Sequence, residues 1–286
     1  MLSVPRSSKR LATRNVGSSG SVAALCLLTL LLCGCTSPRL ALPAGSGAPL
    51  PDYDQLFDAA IGPCRQVRTI ELMLAISGKT GDTSLRGRVR GALAQPGSLR
   101  LEGLSPFGPP GFVLVAGEKP AVLVLPRERR VITNATSRDL LEALAGLALS
   151  PADFLAVITG CLVPDPRPLG AQTYGNGWVG VDLEGDATLF FDRVDDVSVM
   201  VAGRRPGLMV EYDDHMRGLP RRVRVQTSGA GMATTDLTAA ISQVSINVEI
   251  DARAFVPSVP DSFVSMSLEA LQETGGPLEQ PAPSEP

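Results

Sequence analysis

The chain has 286 residues, with 26 basic and 29 acidic side chains, a net charge of −3, and 44% hydrophobic but only 4% aromatic residues. So even a balance argues against nucleic-acid binding, which needs a concentrated basic face. One histidine (His215) and one tryptophan (Trp178) leave little for histidine-dependent catalysis or a histidine-rich metal centre.

The first predicted element is a leader, residues 1–34. Arg6, Lys9, Arg10 and Arg14 precede an apolar run from Val22 to Leu32. At about eleven residues, that run is too short to cross about 30 Å of hydrocarbon as a helix. It ends in Leu32-Cys33-Gly34-Cys35, which reads as a signal peptide closing on a lipobox. Cys35 then takes a diacylglycerol and becomes the first mature residue; an ordinary signal peptide with an incidental cysteine is the alternative. Acyl chains such as palmitate, at about 0.8 kcal/mol per buried methylene, make a stable anchor. The mature chain is expected as a lipoprotein facing an oxidising compartment, with about 250 residues left for one sizeable all-β domain or two small ones.

Residues 35–51 are rich in Pro, Gly, Ser and Ala and read as a lipidated flexible tether. A folded domain is expected over 52–273, followed by a disordered tail at 274–286. Within the domain a short helix is predicted at 52–62, from the spacing of Tyr53, Leu56, Phe57, Ala60 and Ile61. Strands follow in quick succession. Leu72, Leu74 and Ile76 alternate in the first. Leu85, Val89 and Leu93 share one face of the second, opposite Arg86, Arg88 and Arg90. Leu99 and Leu101 alternate in the third. Phe112–Val115, Val122–Leu125 and Arg130–Thr133 continue the series, with Pro- or Gly-bearing connections that imply antiparallel hairpins.

The β pattern breaks over 137–162. Leu140, Leu141, Leu144 and Leu147 lie on one helical face, Thr136 and Asp139 fit a cap pair, and Gly146 ends the helix. Ser150-Pro151-Ala152-Asp153 starts a second helix with Phe154, Val157, Ile158 and Cys161 on its apolar side. Strands resume at Trp178–Leu183, Ala187–Phe191, Val197–Val201, Leu208–Tyr212, Arg221–Thr227 and Ile241–Ile250. About eleven strands in one antiparallel sheet, curled around the helical pair, are expected, since so wide a sheet must curl or split.

Two cysteines, Cys64 and Cys161, remain in the domain once Cys26 and Cys33 leave with the leader and Cys35 is lipidated. An even count in an oxidising compartment points to a disulfide, with two buried free thiols as the alternative. No CxxC spacing supports a metal or redox pair. His215, in EYDDHMRGLPRR, reads as a surface side chain on a solvated turn; Asp213-Asp214 and Asp195-Asp196 read as turns. No carboxylate pair, phosphate loop or cofactor motif is marked, so no catalytic residue, metal or cofactor is expected. Arg86, Arg88 and Arg90 read as the wet face of a strand or as a contact for anionic headgroups or an acidic partner. Phe107, in Ser105-Pro106-Phe107-Gly108-Pro109-Pro110-Gly111, sits at the tip of a forced turn. It either folds back into the core or faces outward as a membrane or partner contact.

Residues 98–163 resemble the LolB-like members of the LolA/LolB-type lipoprotein carrier superfamily. The order is the same: a strand, the Ser105-Pro106-Phe107-Gly108 turn, hairpin strands, a helix ending in LAGLALSP (Leu144–Pro151), and a second helix closing on Gly160. Asp251–Leu271 is similar to the superfamily's C-terminal pattern. The resemblance implies a mainly β fold, a half-open antiparallel β-barrel with an α-helical lid, whose hydrophobic cavity holds lipoprotein acyl chains. It also implies that an apolar residue on the turn, here Phe107, helps place cargo in the outer membrane. Thr36, being other than Asp, implies outer-membrane delivery under the family's sorting rule.

Cavity-lining positions are expected at Leu72, Leu74, Leu85, Val89, Leu99 and Leu101 from the sheet and Leu141, Leu144 and Ile158 from the lid; the pattern fits plain core equally. The chain is thus expected to be a non-enzymatic, monomeric carrier on the periplasmic side of the outer membrane, taking acylated cargo, with a soluble periplasmic carrier as partner. A structural or assembly lipoprotein with a self-filled cavity is the alternative; a hydrolase with paired acids ranks behind both.

Overall fold

Strict alternation sorts the long hairpin at the start of the domain into two faces. Ile70, Leu72 and Leu74 are buried on one strand and Leu85, Val89 and Leu93 on the next, while Arg86, Arg88 and Arg90 face solvent. The computed structural model describes residues 40–278 apart from 118, 195–196, 228–233 and 275. In chain order it has β1 (Ala48–Pro49), α1 (Asp54–Arg65), β2 (Thr69–Thr80), β3 (Thr83–Ala94), β4 (Ser98–Leu104), β5 (Phe112–Ala116), β6 (Ala121–Leu125) and β7 (Arg130–Ala135). Then come α2 (Ser137–Ala145), α3 (Pro151–Thr159), β8 (Pro168–Thr173), β9 (Val179–Leu183), β10 (Ala187–Val194), β11 (Val197–Arg205) and β12 (Leu208–Asp213). The chain closes with β13 (Arg222–Thr227), β14 (Thr235–Ile246), β15 (Val264–Ser265) and α4 (Leu268–Thr274).

All fifteen strands join one sheet in the order β1-β8-β9-β10-β11-β12-β13-β14-β2-β3-β4-β5-β6-β7-β15. Every pairing is antiparallel except β15 on β7, which is parallel. The two runs of consecutive hairpins meet where β14 pairs with β2, with Ala239 opposite Ile76 and Ile241 opposite Leu74. Among the described residues the sheet ends at β1 and β15 and is not closed into a barrel, and it has fifteen strands where a half-open barrel of about eleven is expected. The additional strands β1 and β15 are two residues each, and β8 (PLGAQT) lacks the alternating β-branched pattern that marks a strand. The last long strand also runs Thr235–Ile246, not 241–250, with an irregularity between Ser242 and Ser245 where Gln243 takes a φ of 51°.

Helices cover one face, the inner one. α2 is fixed by a capping box between Thr136 and Asp139 and stops at Gly146 with φ 66°. α3 has the same device in Ser150 and Asp153, Pro151 in its first turn, and Gly160 at φ 97°. Both are as the sequence implies. α1 begins at Asp54 and runs three residues past the expected end, to Arg65.

After β14 the chain wraps the sheet edge. A 3-10 turn (Ala252–Phe255) lies on β4, where Arg100 donates to the Ala254 carbonyl at 3.1 Å. Phe263 packs on an outer-face cluster of Val122, Val124 and Val131. β15 then joins β7, α4 packs on α2, and Leu278 is buried back on the inner face. The segment expected as a tail from 274 therefore has packed residues at 276–278.

Candidate functional site: an apolar cavity under the helical pair

The inner face carries one continuous core with two kinds of packing. Under α1 it is filled with rings. Phe57 meets Phe191 edge-on at 6.3 Å and 87°, and the Arg65 guanidinium lies 5.5 Å from the Phe57 ring centre. The Cys64–Cys161 disulfide, with Cα atoms 5.7 Å apart, joins the end of α1 to the residue after Gly160. The pairing expected from the cysteine count is present.

Under α2 and α3 the packing is mostly aliphatic, with Phe112 and Phe154 as the aromatic members, and leaves a cavity of about 70 Å³. Its walls are Leu74 and Ile76 on β2, Val89 on β3, Leu101 on β4, Phe112 on β5, Val223 and Val225 on β13, and Leu237 and Ala239 on β14. Leu141, Leu144 and Ala145 of α2, Leu147 and Leu149 of the connection, and Phe154, Val157 and Ile158 of α3 close it from above. Leu278 completes the lining. Among the described residues no polar side chain contributes, and an apolar cavity of this kind stays dry.

Of the expected lining residues, Leu74, Val89, Leu101, Leu141, Leu144 and Ile158 are brought together here, whereas Leu72, Leu85 and Leu99 are buried in the surrounding core without reaching the cavity. β13 and β14 supply four walls that sequence reasoning missed. They reach the site only because β14 pairs with β2, a contact between strands more than 150 residues apart. Leu278 was missed because its neighbours carry no periodic signal.

Polar contacts pin the helical pair at its ends. The hydroxyls of Thr80 and Thr235 donate to the carbonyls of Ala145 (3.2 Å) and Gly146 (3.1 Å). On α3, Arg205 of β11 donates to Asp153 at 2.6 Å, and Arg138 lies 3.9 Å from the same carboxylate. Burial raises the Asp153 pKa, but hydrogen bonds from Ser150 and Arg205 and the Arg205 charge outweigh it and hold the carboxyl below its ordinary value.

Phe107 is 88% exposed at the tip of its turn. Arg127 holds the turn by donating to the Ser105 hydroxyl and to the Phe107 carbonyl, and Gly108 takes φ 79°. The alternative of a ring folded into the core is thereby removed. Arg86 and Arg88 are exposed, and Arg90 lies 3.8 Å from Glu102. His215 is not the surface side chain expected: its Nε2 is buried without a hydrogen-bond partner, and burial lowers its pKa against the opposing pull of Asp213. Cys35 and the leader lie outside the described residues, as do Asp195 and Asp196. Among the described residues no group of three or more His, Cys, Asp or Glu is placed to hold a metal, and no helix is long and apolar enough to cross a membrane.

The fold and site together define an open, mainly β sheet with an apolar cavity under a capped helical pair. No family model matches the sequence, and no curated protein matches it. Among solved structures, the chain is similar to a LolA superfamily protein from Nitrosomonas europaea, at 11% identity and a TM-score of 0.46, over 75% of this chain and 99% of that one. It is also similar to a DUF1329 family protein from Desulfovibrio piger, at 11% identity and a TM-score of 0.45, over 71% of this chain and 96% of that one. Likenesses of this order carry no functional argument.

Proposed function

We propose that the chain is a lipid-anchored carrier that shelters an acyl chain between α2, α3 and the inner face, in the manner of the LolB-like proteins its sequence resembles. One observation carries this reading: every described residue lining the cavity is apolar, including the helix faces that the chain turns toward it. A site with no polar group offers nothing to a sugar, nucleotide or peptide backbone, and suits a hydrocarbon chain. Binding, not catalysis, is the role assigned. Cys35 is the lipid attachment point, the outer membrane the site of anchoring, acylated lipoproteins the cargo, and Phe107 the residue that touches the bilayer during transfer.

The cavity is far smaller than the roughly 300–1,000 Å³ usual for a ligand site. The carrier reading therefore requires the helical pair or its surroundings to move. The same observation favours a second reading, a structural envelope lipoprotein whose inner face is filled by its own side chains.

The two readings separate in one assay. Binding of cis-parinaric acid, a fluorescent fatty acid, is measured to the full chain and to Leu144→Phe, which fills the cavity. A carrier binds the probe and loses about tenfold or more in affinity on filling, a change of about 1.4 kcal/mol. A self-filled structural protein binds the probe in neither form.

A further inference from the structure

Sheet pairing leaves a gap beside the cavity. β3 starts at Thr83, yet β4 pairs with it only over Arg88–Ala94. Residues 83–87 thus have no strand partner on that side among the described residues, and their backbone groups would face the opening. β4 ends at Leu104 and the Phe107 turn carries the chain away, so the gap lies between the start of β3, that turn and α2.

The C-terminal segment occupies this gap. The Arg86 amide donates to the Leu278 carbonyl at 3.0 Å, so the segment satisfies the edge that β4 leaves unpaired. Gly276 lies against the carbonyls of Ala143 and Leu144, and Pro277 against Gly111. Leu278 is only 5% exposed and forms part of the cavity wall. Gly87 faces inward, and the space a side chain would take there is filled by Leu278, whose Cδ2 stands 2.7 Å from the position of a Cβ. A glycine on the inner side of β3 is thus matched to a leucine about 190 residues later.

We infer that the gap between β3, the Phe107 turn and α2 is the portal through which an acyl chain reaches the cavity, and that Leu278 is its resident plug. This rests on the carrier reading. The fit is chemical: a leucine side chain is a short branched hydrocarbon, and the ligand is a longer one that takes the same apolar contacts. Among the described residues, one backbone hydrogen bond and the packed stretch 276–278 hold the plug, and none of these contacts belongs to a strand pairing or a helical cap. With the plug seated, apparent affinity for the ligand is reduced by the fraction of molecules in which the portal is open.

The test compares the full chain with Leu278→Ser and with a deletion of 276–286, using cis-parinaric acid as probe and hydrogen exchange at the Arg86 amide as a second readout. The expected result is an affinity increase of about tenfold in both variants, as for a portal open in about a tenth of parent molecules. In the unaltered chain, adding the probe should speed exchange at Arg86, because the displaced Leu278 carbonyl no longer accepts its hydrogen bond. Equal or weaker affinity in both variants, or unchanged exchange at Arg86 while the parent binds probe, overturns the plug and leaves the carrier reading standing. Absence of binding in parent and variants alike overturns the carrier reading and the plug together. The exchange measurement needs no substitution, so it decides the matter even where a variant fails to fold.

Discussion

The two parts of the inner face are built from the same sheet and close differently. Under α1, rings fill the space: Phe57 and Phe191 interlock, both almost fully buried, and the disulfide fixes the helix end against the chain that follows α3. Under α2 and α3, mostly aliphatic side chains with Phe112 and Phe154 surround a void, and the elements above are tied down by terminal hydroxyls, the Arg205–Asp153 ion pair and the strap at 276–278. Rigid aromatic rings interlock and specify one packing, whereas aliphatic chains around a void tolerate rearrangement. On the carrier reading, the difference separates a permanent part of the core from the part that would exchange its own side chains for a ligand's.

Removing the disulfide should break the first part hardest. Its closed loop spans 97 residues, for which chain-entropy arguments give up to about 4.7 kcal/mol. Chemical denaturation of Cys64→Ser/Cys161→Ser against the parent measures it, and a loss under about 1 kcal/mol would show that the α1 region stands without its staple. Phe191→Ala should cost about 3–5 kcal/mol in the same assay, since a buried ring leaves a large void. The comparison is sharpest for added volume. Leu189→Phe, at a fully buried site on β10, should cost about 1–3 kcal/mol by overpacking. Leu144→Phe should change stability by less than about 1 kcal/mol, because its ring enters space already empty. Equal costs at the two positions would erase the distinction.

Legibility in the sequence follows the range of the interactions. Both capping boxes of the helical pair could be read locally, because Thr136 with Asp139 and Ser150 with Asp153 need only three-residue spacing. The inward set on β2, β3 and β4 followed from alternation. What alternation does not give is which strands are neighbours. Val223, Val225, Leu237 and Ala239 line the cavity only because β14 crosses to β2, so these four of the sheet's nine lining residues were hidden. Nor does alternation distinguish Leu74, which meets the void, from Leu72, which does not: both point inward, and only the position of the helices above decides. Leu278 sits in TGGPLEQPAPSEP, where composition argues against order, and a single side chain finding a glycine-lined slot leaves no periodic trace. Phe107 was legible as a turn tip because Pro106, Gly108, Pro109 and Pro110 frame it. Its outward face followed from the same frame and is borne out at 88% exposure; what the sequence did not show is that Arg127, twenty residues on, holds the turn.

The Arg205–Asp153 ion pair gives the helical pair a pH dependence. Asp153 has its pKa lowered in the folded chain, so its contribution is complete above the unfolded carboxyl value of about 3.9 and is lost as pH falls through the lower folded value. Asp153→Asn removes a hydrogen bond between charged groups and should cost about 1.5–3 kcal/mol at neutral pH. The cost should shrink in acid, where the parent carboxyl is itself protonated. His215 acts in a higher window. Burial lowers its pKa, so the folded state resists protonation, and its neutral form supports stability fully above about pH 6.5. That support should fade as pH falls below this value, and His215→Gln should flatten stability between pH 7 and about 5 relative to the parent.

The smallest effect on stability is expected at Phe107. A ring 88% exposed contributes almost nothing to the core, so Phe107→Glu should shift unfolding by no more than about 0.5 kcal/mol. Arg127 holds the turn through the Ser105 hydroxyl and the Phe107 carbonyl, neither of which the substitution removes, so the loop should keep its shape. If the ring enters the bilayer boundary during transfer, a carboxylate there opposes insertion while leaving the cavity untouched. Binding of cis-parinaric acid should then be unchanged, and movement of a lipidated peptide from the protein to liposomes should slow by about tenfold. A stable variant that transfers at the parental rate removes Phe107 from the membrane step. A loss of about 3 kcal/mol or more would instead make the ring a buried one. Phe191 makes the contrast: the same side chain in the ring-filled part should be costly to remove and silent in transfer, whereas at the turn tip it should be dispensable for folding and read only at the membrane.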